Sequence, residues 1–143
     1  MHDSLGLLSD SPDCHDLRKK MKYPVITVHQ PWAQWIIEGF KEIETRTHDR
    51  FKSLEGKRIL IHASQTHQNV EDVALNYYTC GKYPKGVILG SAQVYDALWL
   101  CDVFEDEANC ECNGLFGLCL KDVKKFKNPI PAKGKQGIWY YDI

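Results

Sequence analysis

Apolar residues recur along the chain in patterns that predict an ordered series of strands and helices, beginning near Tyr23. Residues 23–28 alternate and are rich in β-branched side chains, which predicts a strand. Residues 32–36 then carry apolar side chains at helical spacing between Pro31 and Gly39, residue types common in the first turn of a helix and just after its end. We therefore expect a strand followed by a short amphipathic helix.

The segment after this helix alternates between two sets of side chains. If residues 41–46 are extended, Glu44 and Arg46 lie on the same side of a strand. Lys41 then comes from the preceding turn or from the opposite face, and Thr45 points away from Glu44. The pattern predicts a polar cluster centred on Lys41, Glu44 and Arg46.

The rest of the pattern predicts a second helix and several further strands. Residues 59–61 form a continuous apolar run, which favours a strand buried on both faces. Asn69 and Gly81 flank a stretch with helical spacing, and Gly90 interrupts a long β-like stretch, which favours a bulge or a close approach. Further strands are predicted at residues 115–120, 123–126 and 138–141, with a connection over residues 129–137 and an acidic loop after residue 101.

These elements indicate an α+β fold, with about six strands in a small curled sheet or barrel and two helices packed against it. The chain has 143 residues, 43% of them hydrophobic, which suffices for one core. Residues 1–20 are polar and lack periodicity, so they are expected to form a flexible tail. Residues 21–143 are expected to form the single domain.

Charge is distributed unevenly although the formal net charge is only -1. Six lysines and one aspartate lie between Lys121 and Lys135, whereas the stretch from Asp96 to Glu111 has six acidic residues and no basic one. The overall balance argues against a strongly basic nucleic-acid clamp, so any binding of phosphate must be local. One face is expected to attract polyanions while another repels them.

The six cysteines do not accompany a secretory leader or a long apolar run. We therefore expect free thiols in a reducing cytoplasm or nucleus, and no membrane association. Cys101, Cys110, Cys112 and Cys119 contain one close pair with no histidine beside it, which is a poor zinc motif. Neither a metal nor a cofactor is expected. No glycine-rich phosphate loop follows a strand, which argues against nucleotide hydrolysis.

Three ordered segments resemble the activating signal cointegrator homology (ASCH) family. They are Gln30-Pro31-Trp32, then Gly39-x-Lys41-x-x-Glu44-x-Arg46, then Lys133-Gly134-x-x-Gly137-x-Trp139. The resemblance covers about residues 23–142. It implies a barrel similar to the pseudouridine synthase and archaeosine transglycosylase (PUA) domain, with the second segment facing a ligand cleft.

The same resemblance implies binding of RNA or other nucleic acid. Some small bacterial members of the family are amidohydrolases acting on N4-acetylcytidine, and they resemble this chain at Lys41. They carry a threonine three residues later, where this chain has Glu44, and Thr45 is expected on the other side of the strand. This departure counts against the same chemistry.

Each candidate site residue also has a structural interpretation. Lys41 can contact a phosphate or carbonyl or lie solvated on a turn, and Glu44 and Arg46 can contact a ligand or pair with each other. Trp32 can stack on a base or belong to the core with Trp35. The other candidates can line the cleft or satisfy neighbouring polar groups, and they are Gln30, His62, Ser64, Gln93 and Lys133.

The leading hypothesis is a monomeric binding module for single-stranded RNA or DNA or for a modified nucleoside. The alternative is an amidohydrolase acting on acylated nucleosides such as N4-acetylcytidine, with Lys41 and Glu44 as the catalytic residues. A third hypothesis is a protein-interaction adaptor that uses the acidic segment from Asp102 to Glu111 as its partner surface.

Overall fold

The computed structural model describes residues 21–67 and 83–143. The predicted tail over residues 1–20 and the predicted helix from Asn69 to Gly81 lie outside the described residues. The elements in chain order are β1 (Lys22–Gln30), α1 (Trp32–Glu38), β2 (Ile43–Arg46), β3 (Arg58–His67), β4 (Val87–Trp99), α2 (Glu105–Ala108), β5 (Phe116–Pro131) and β6 (Trp139–Asp142). Single 3-10 turns occur at Lys52–Leu54 and Asp102–Phe104.

The strands form one six-stranded mixed sheet in the order β2-β5-β4-β3-β1-β6. Only the β1–β3 pair within this sheet is parallel. In a flat sheet β2 and β1 would lie roughly 19 Å apart, because neighbouring strands are spaced by about 4.8 Å. Arg46 of β2 nevertheless donates to the carbonyl oxygen of Thr27 in β1 at 3.1 Å, so the sheet curls strongly.

The structure confirms the predicted curled sheet, but it shows no closed barrel within the described residues. The strand order ends at β2 and at β6, and no hydrogen-bonded ladder joins these two strands within residues 21–67 and 83–143. Closure of the sheet into a barrel therefore stays a prediction. No helix in the described part of the chain is long and apolar enough to cross a membrane.

The main core lies between α1 and one face of the sheet. Ile36 is fully buried there, together with residues such as Ile61 and Leu118 from the strands beneath it. Helix α1 ends at Gly39, whose φ of 91° is a left-handed conformation that glycine adopts without a steric cost. The turn that follows therefore leads directly into Lys41 and β2.

Most predicted strands are confirmed, and two interpretations are corrected. The acidic stretch after Cys101 was expected to be a loop, but it contains a 3-10 turn and the short helix α2, whose acidic first turn suits the helix dipole. The two strands expected at residues 115–120 and 123–126 are one strand, β5, because Asp122 adopts a φ of 51° at a shift of register and the ladder then resumes.

The predicted bulge at Gly90 is confirmed by shifts of register in both ladders of β4. A Cβ atom at this position would lie 2.2 Å from the carbonyl oxygen of Lys124. Glycine is required there because the neighbouring backbone occupies the space of a side chain.

Candidate functional site

Two adjoining cavities form a continuous cleft at the side where β2 approaches β1. Both are lined by Thr27, His29 and Arg46. The inner cavity has a volume of about 220 Å³, and its other lining residues are Val28, Trp32, Lys41, Glu44, Thr45 and Cys110. The outer channel has a volume of about 650 Å³, and its other lining residues are His48, Arg50, Phe51, His62, Ser64, Gln65, Lys133, Gly134, Lys135, Gln136 and Gly137.

Lys41 is a buried cation at the wall of the inner cavity. Its side chain enters from the turn after α1, and only 3% of the residue is exposed. The ammonium donates a hydrogen bond to the carbonyl oxygen of Ala108 at the end of α2 and lies 3.8 Å from the sulfur of Cys110. No carboxylate lies within ion-pair distance of it among the described residues, so its donor capacity is not fully used by the protein.

Glu44 and Arg46 point to the same side of β2, as the alternation predicts, and they form an ion pair. The distance from Arg46 Nε to Glu44 Oε2 is 3.1 Å, and the two side chains are 22% and 7% exposed. The guanidinium also donates to Thr27 and lies 4.8 Å from the centre of the Phe51 ring. These contacts fix Arg46 at the junction of the two cavities.

Thr45 and Trp32 complete the inner cavity. Thr45 was expected to point away from Glu44, and it lines the inner cavity as well. Its hydroxyl lies 3.9 Å from the sulfur of Cys110. Trp32 is half-buried and packs against the main core while it also lines the cavity, whereas Trp35 is buried.

His62 is a buried hydrogen-bonding residue in the wall of the outer channel. Its Nε2 lies 2.7 Å from the carbonyl oxygen of Ala132, which can only accept, so Nε2 carries a proton and donates. Its Nδ1 lies 3.2 Å from the hydroxyl of Thr27, which also accepts a hydrogen bond from the indole of Trp139. Burial lowers the pKa of His62 below its ordinary value of 6.5, although its hydrogen bond to Ala132 raises it in part.

The hydrogen bonds around His62 and Thr27 explain two residues of the segment Lys133-Gly134-x-x-Gly137-x-Trp139. A Cβ atom at Gly134 would lie 2.6 Å from Cε1 of His62 and 3.0 Å from the hydroxyl of Thr27. Only glycine therefore lets the loop approach these side chains. The indole of Trp139 donates to the same hydroxyl, so the glycine and the tryptophan hold one loop against one network.

The structure brings most of the predicted site residues together. Trp32, Lys41, Glu44 and Arg46 line the inner cavity, and His62, Ser64 and Lys133 line the outer channel. Gln30 lies behind the site, where its amide accepts from the backbone N–H of Gln34 and donates to the carbonyl oxygen of Pro84. Gln93 lies in β4 opposite Arg58 and Lys121 and lines neither cavity.

Several lining residues were not predicted from the sequence. Arg46, His48 and Arg50 continue the alternation that starts at Glu44, and this signal could have identified the last two. Partial burial, followed by the charges of Arg50 and Arg46, lowers the pKa of His48. His29 and Cys110 carry no comparable signal, because their positions depend on the curl of the sheet and on α2.

The comparisons with known proteins agree with this fold. The ASCH domain family model matches residues 26–131. The chain is similar to the crystal structure of ASCH from Zymomonas mobilis, with 18% identity and a TM-score of 0.54 over 76% of this chain and 73% of that chain. A serine-to-alanine variant of that protein gives 18% identity and a TM-score of 0.52 over 76% of this chain and 73% of that chain. A tyrosine-to-phenylalanine variant gives 17% identity and a TM-score of 0.52 over 78% of this chain and 76% of that chain.

Proposed function

The chain belongs to the ASCH domain family, and from this membership and the geometry of the cleft we propose that it is a nucleic-acid-binding module. It recognises single-stranded RNA or DNA, or a modified nucleoside, with the inner cavity taking a base. Arg46 lies where the base enters from the outer channel.

The observation that carries the proposal is the chemistry of the inner cavity. A buried ammonium on Lys41 and a buried carboxylate on Glu44 line the same space of about 220 Å³. This volume lies below the range typical of sites for drug-sized ligands, and it suits a single ring system better. A donor and an acceptor beside the face of Trp32 match what an unstacked base offers, namely polar edges and an apolar face.

The ion pair leaves part of Glu44 available. The ion pair joins Arg46 Nε to Oε2 of Glu44. The carboxylate can then accept a hydrogen bond from an amino or imino group of a base through Oε1. Glu44 and Arg46 can therefore pair with each other and still serve the ligand site. Arg46 holds the carboxylate in place, and the carboxylate contacts the ligand.

A second candidate function, hydrolysis of an acylated nucleoside, is favoured by the position of Thr45. Thr45 lines the inner cavity together with Lys41, although the sequence pattern places its side chain on the side of the strand away from Glu44. In the structure its hydroxyl contacts Cys110 and makes no hydrogen bond to Lys41 within the described residues. Turnover of N4-acetylcytidine by the wild-type protein, lost in Thr45→Val, would establish this activity.

The test of the binding function is fluorescence anisotropy with short labelled single-stranded RNA and DNA at two salt concentrations. The variant Lys41→Met removes the charge and keeps the length of the side chain, and Lys57→Met is the matched control, because Lys57 is exposed and lines neither cavity. We expect Lys41→Met to weaken binding about tenfold or more and Lys57→Met to leave it within about twofold. Absence of binding at low salt would contradict the proposal, and so would equal affinity of the two variants.

A further inference from the structure

The outer channel is lined by cations with few acidic neighbours. Arg46, Arg50, Lys133 and Lys135 line it together with three histidines, and the described lining residues include no carboxylate. Arg50, Lys133 and Lys135 are exposed and take part in no ion pair within the described ranges. Their charges therefore add in the same space and are not neutralised locally.

Other lysines of the same basic run differ in this respect. Lys124 lies 3.5 Å from a carboxylate oxygen of Asp122, and Lys125 lies 3.2 Å from one of Glu38. These lysines lie in β5, and neither lines the channel. Two of the four lysines of β5 in this run are thus partly neutralised, whereas Lys133 and Lys135 of the channel loop take part in no ion pair within the described residues.

The channel leads directly from the inner cavity. Arg46 belongs to the lining of both spaces, and its contacts with Glu44 and Thr27 hold it at their junction. Gly134 lets the loop that carries Lys133 and Lys135 approach His62 closely. A ligand with its base in the inner cavity would therefore direct its next covalently attached group past Arg46 toward these lysines.

From this arrangement we infer that the outer channel is a phosphodiester-binding track, formed by Arg50, Lys133 and Lys135 with Arg46 at its inner end. The inference rests on the proposed function and makes it more specific, because the ligand is then a nucleic-acid strand and not a free nucleoside. The inner cavity contacts the base, and the track contacts two or three consecutive phosphates by charge and hydrogen bonding.

The number of phosphates contacted can be measured from the dependence of binding on salt. The slope of log K against log salt concentration is about -0.7 for each phosphate neutralised on a single strand. We expect the triple variant Arg50→Ala, Lys133→Ala, Lys135→Ala to make the slope for a labelled single-stranded RNA shallower by about 2. The matched control is Lys124→Ala, Lys125→Ala, Lys127→Ala, which removes the same charge from β5 and should change the slope by less than about 0.7.

A second probe has the same bases but uncharged methylphosphonate linkages. The wild-type protein should bind it more weakly than the natural strand, whereas the channel triple variant should bind the two probes with nearly equal affinity. The inference is overturned if both triple variants change the slope equally, or if the wild-type protein does not distinguish the probes. If the wild-type protein binds neither probe at low salt, the proposed function fails together with the phosphate track. If Lys41→Met weakens binding but the channel triple variant leaves the salt slope unchanged, only the phosphate track fails.

Discussion

At the scale of single residues, the site depends on buried polar groups whose partners come from distant parts of the chain. Lys41 donates to a carbonyl 67 positions later in the chain, and His62 donates to one 70 positions later. A buried polar group that loses its partner costs about 1–3 kcal/mol, so each of these contacts ties an element to the cleft as well as stabilising a side chain. The residues that line the cleft therefore also help to hold its elements together.

His62 should make the stability of the domain depend on pH. Burial lowers its pKa in the folded state, so below the ordinary value of 6.5 the unfolded chain binds a proton that the folded chain resists binding. The free energy of unfolding should be unaffected by His62 above about pH 7.5 and should fall as the pH is lowered through 6.5. Between pH 7.5 and 5.5 this contribution is at most about 1.4 kcal/mol, the limit set by protonation of the unfolded chain.

Urea unfolding of the wild type and of His62→Gln at these two pH values would measure the effect. The variant keeps a donor for Ala132 but cannot titrate, so it should lose less stability than the wild type on acidification. The same comparison for His48→Gln measures the share of the other described histidine whose pKa is lowered. A wild-type loss no larger than that of His62→Gln would contradict this assignment.

At the scale of elements, the sequence predicts those strands, helices and bulges that depend on the pattern of neighbouring residues alone. The strand at residues 23–28, the helix ending at Gly39 and the bulge at Gly90 follow from alternation, helical spacing and an isolated glycine, and all three are confirmed. The continuity of β5 was missed, because Asp122 resembles a break but only shifts the register. Local pattern cannot distinguish a bulge from a turn when the ladder beyond it depends on another strand.

The prediction at the scale of elements concerns the loop after β5, which carries Gly134. Gly134→Ala should destabilise the domain by about 1–3 kcal/mol and weaken strand binding, because the new methyl group would overlap the ring of His62. In the background of His62→Ala the ring is absent, so the same change should cost less. Urea unfolding of the four proteins gives the coupling energy, which we expect to exceed about 0.5 kcal/mol.

Gly114→Ala is the matched control for this cycle. Gly114 has a φ of 85°, and no heavy atom lies within 4 Å of a Cβ built there, so the change costs only backbone strain. It should show no coupling to His62→Ala. Equal costs of Gly134→Ala with and without the His62 ring would show that the loop does not depend on this contact.

At the scale of the whole molecule, the cleft results from the curl of the sheet. Residues of β1, β2, β3 and the loop before β6 meet there although they lie far apart in the sequence. The family segments predicted that Lys41, Glu44 and Arg46 share a site, but no pattern in the sequence shows that β2 approaches β1. This is why Thr27 and His29 were missed and why Gln93 was predicted in the cleft.

The curl also separates the charges. The outer channel holds three cations, Arg50, Lys133 and Lys135, that take part in no ion pair among the described residues. The three acidic side chains of α2 lie on the segment whose end contacts Lys41, but none of these acidic residues lines either cavity. A protein partner bound at the acidic segment would occupy a different surface from the strand.

Hydrogen exchange distinguishes these surfaces in the intact protein. When a saturating single-stranded RNA is added, amides of residues 47–50 and 133–137 should exchange more slowly, because these two loops line the outer channel. Amides of residues 102–106, which line neither cavity, should keep their rates, and the protection of the two channel loops should disappear in the channel triple variant. Binding should also raise the free energy of unfolding by about 2.7 kcal/mol when the free strand is at 100 times its dissociation constant. Protection confined to residues 102–106 would instead place the binding surface on the acidic segment and would contradict the cleft as the site.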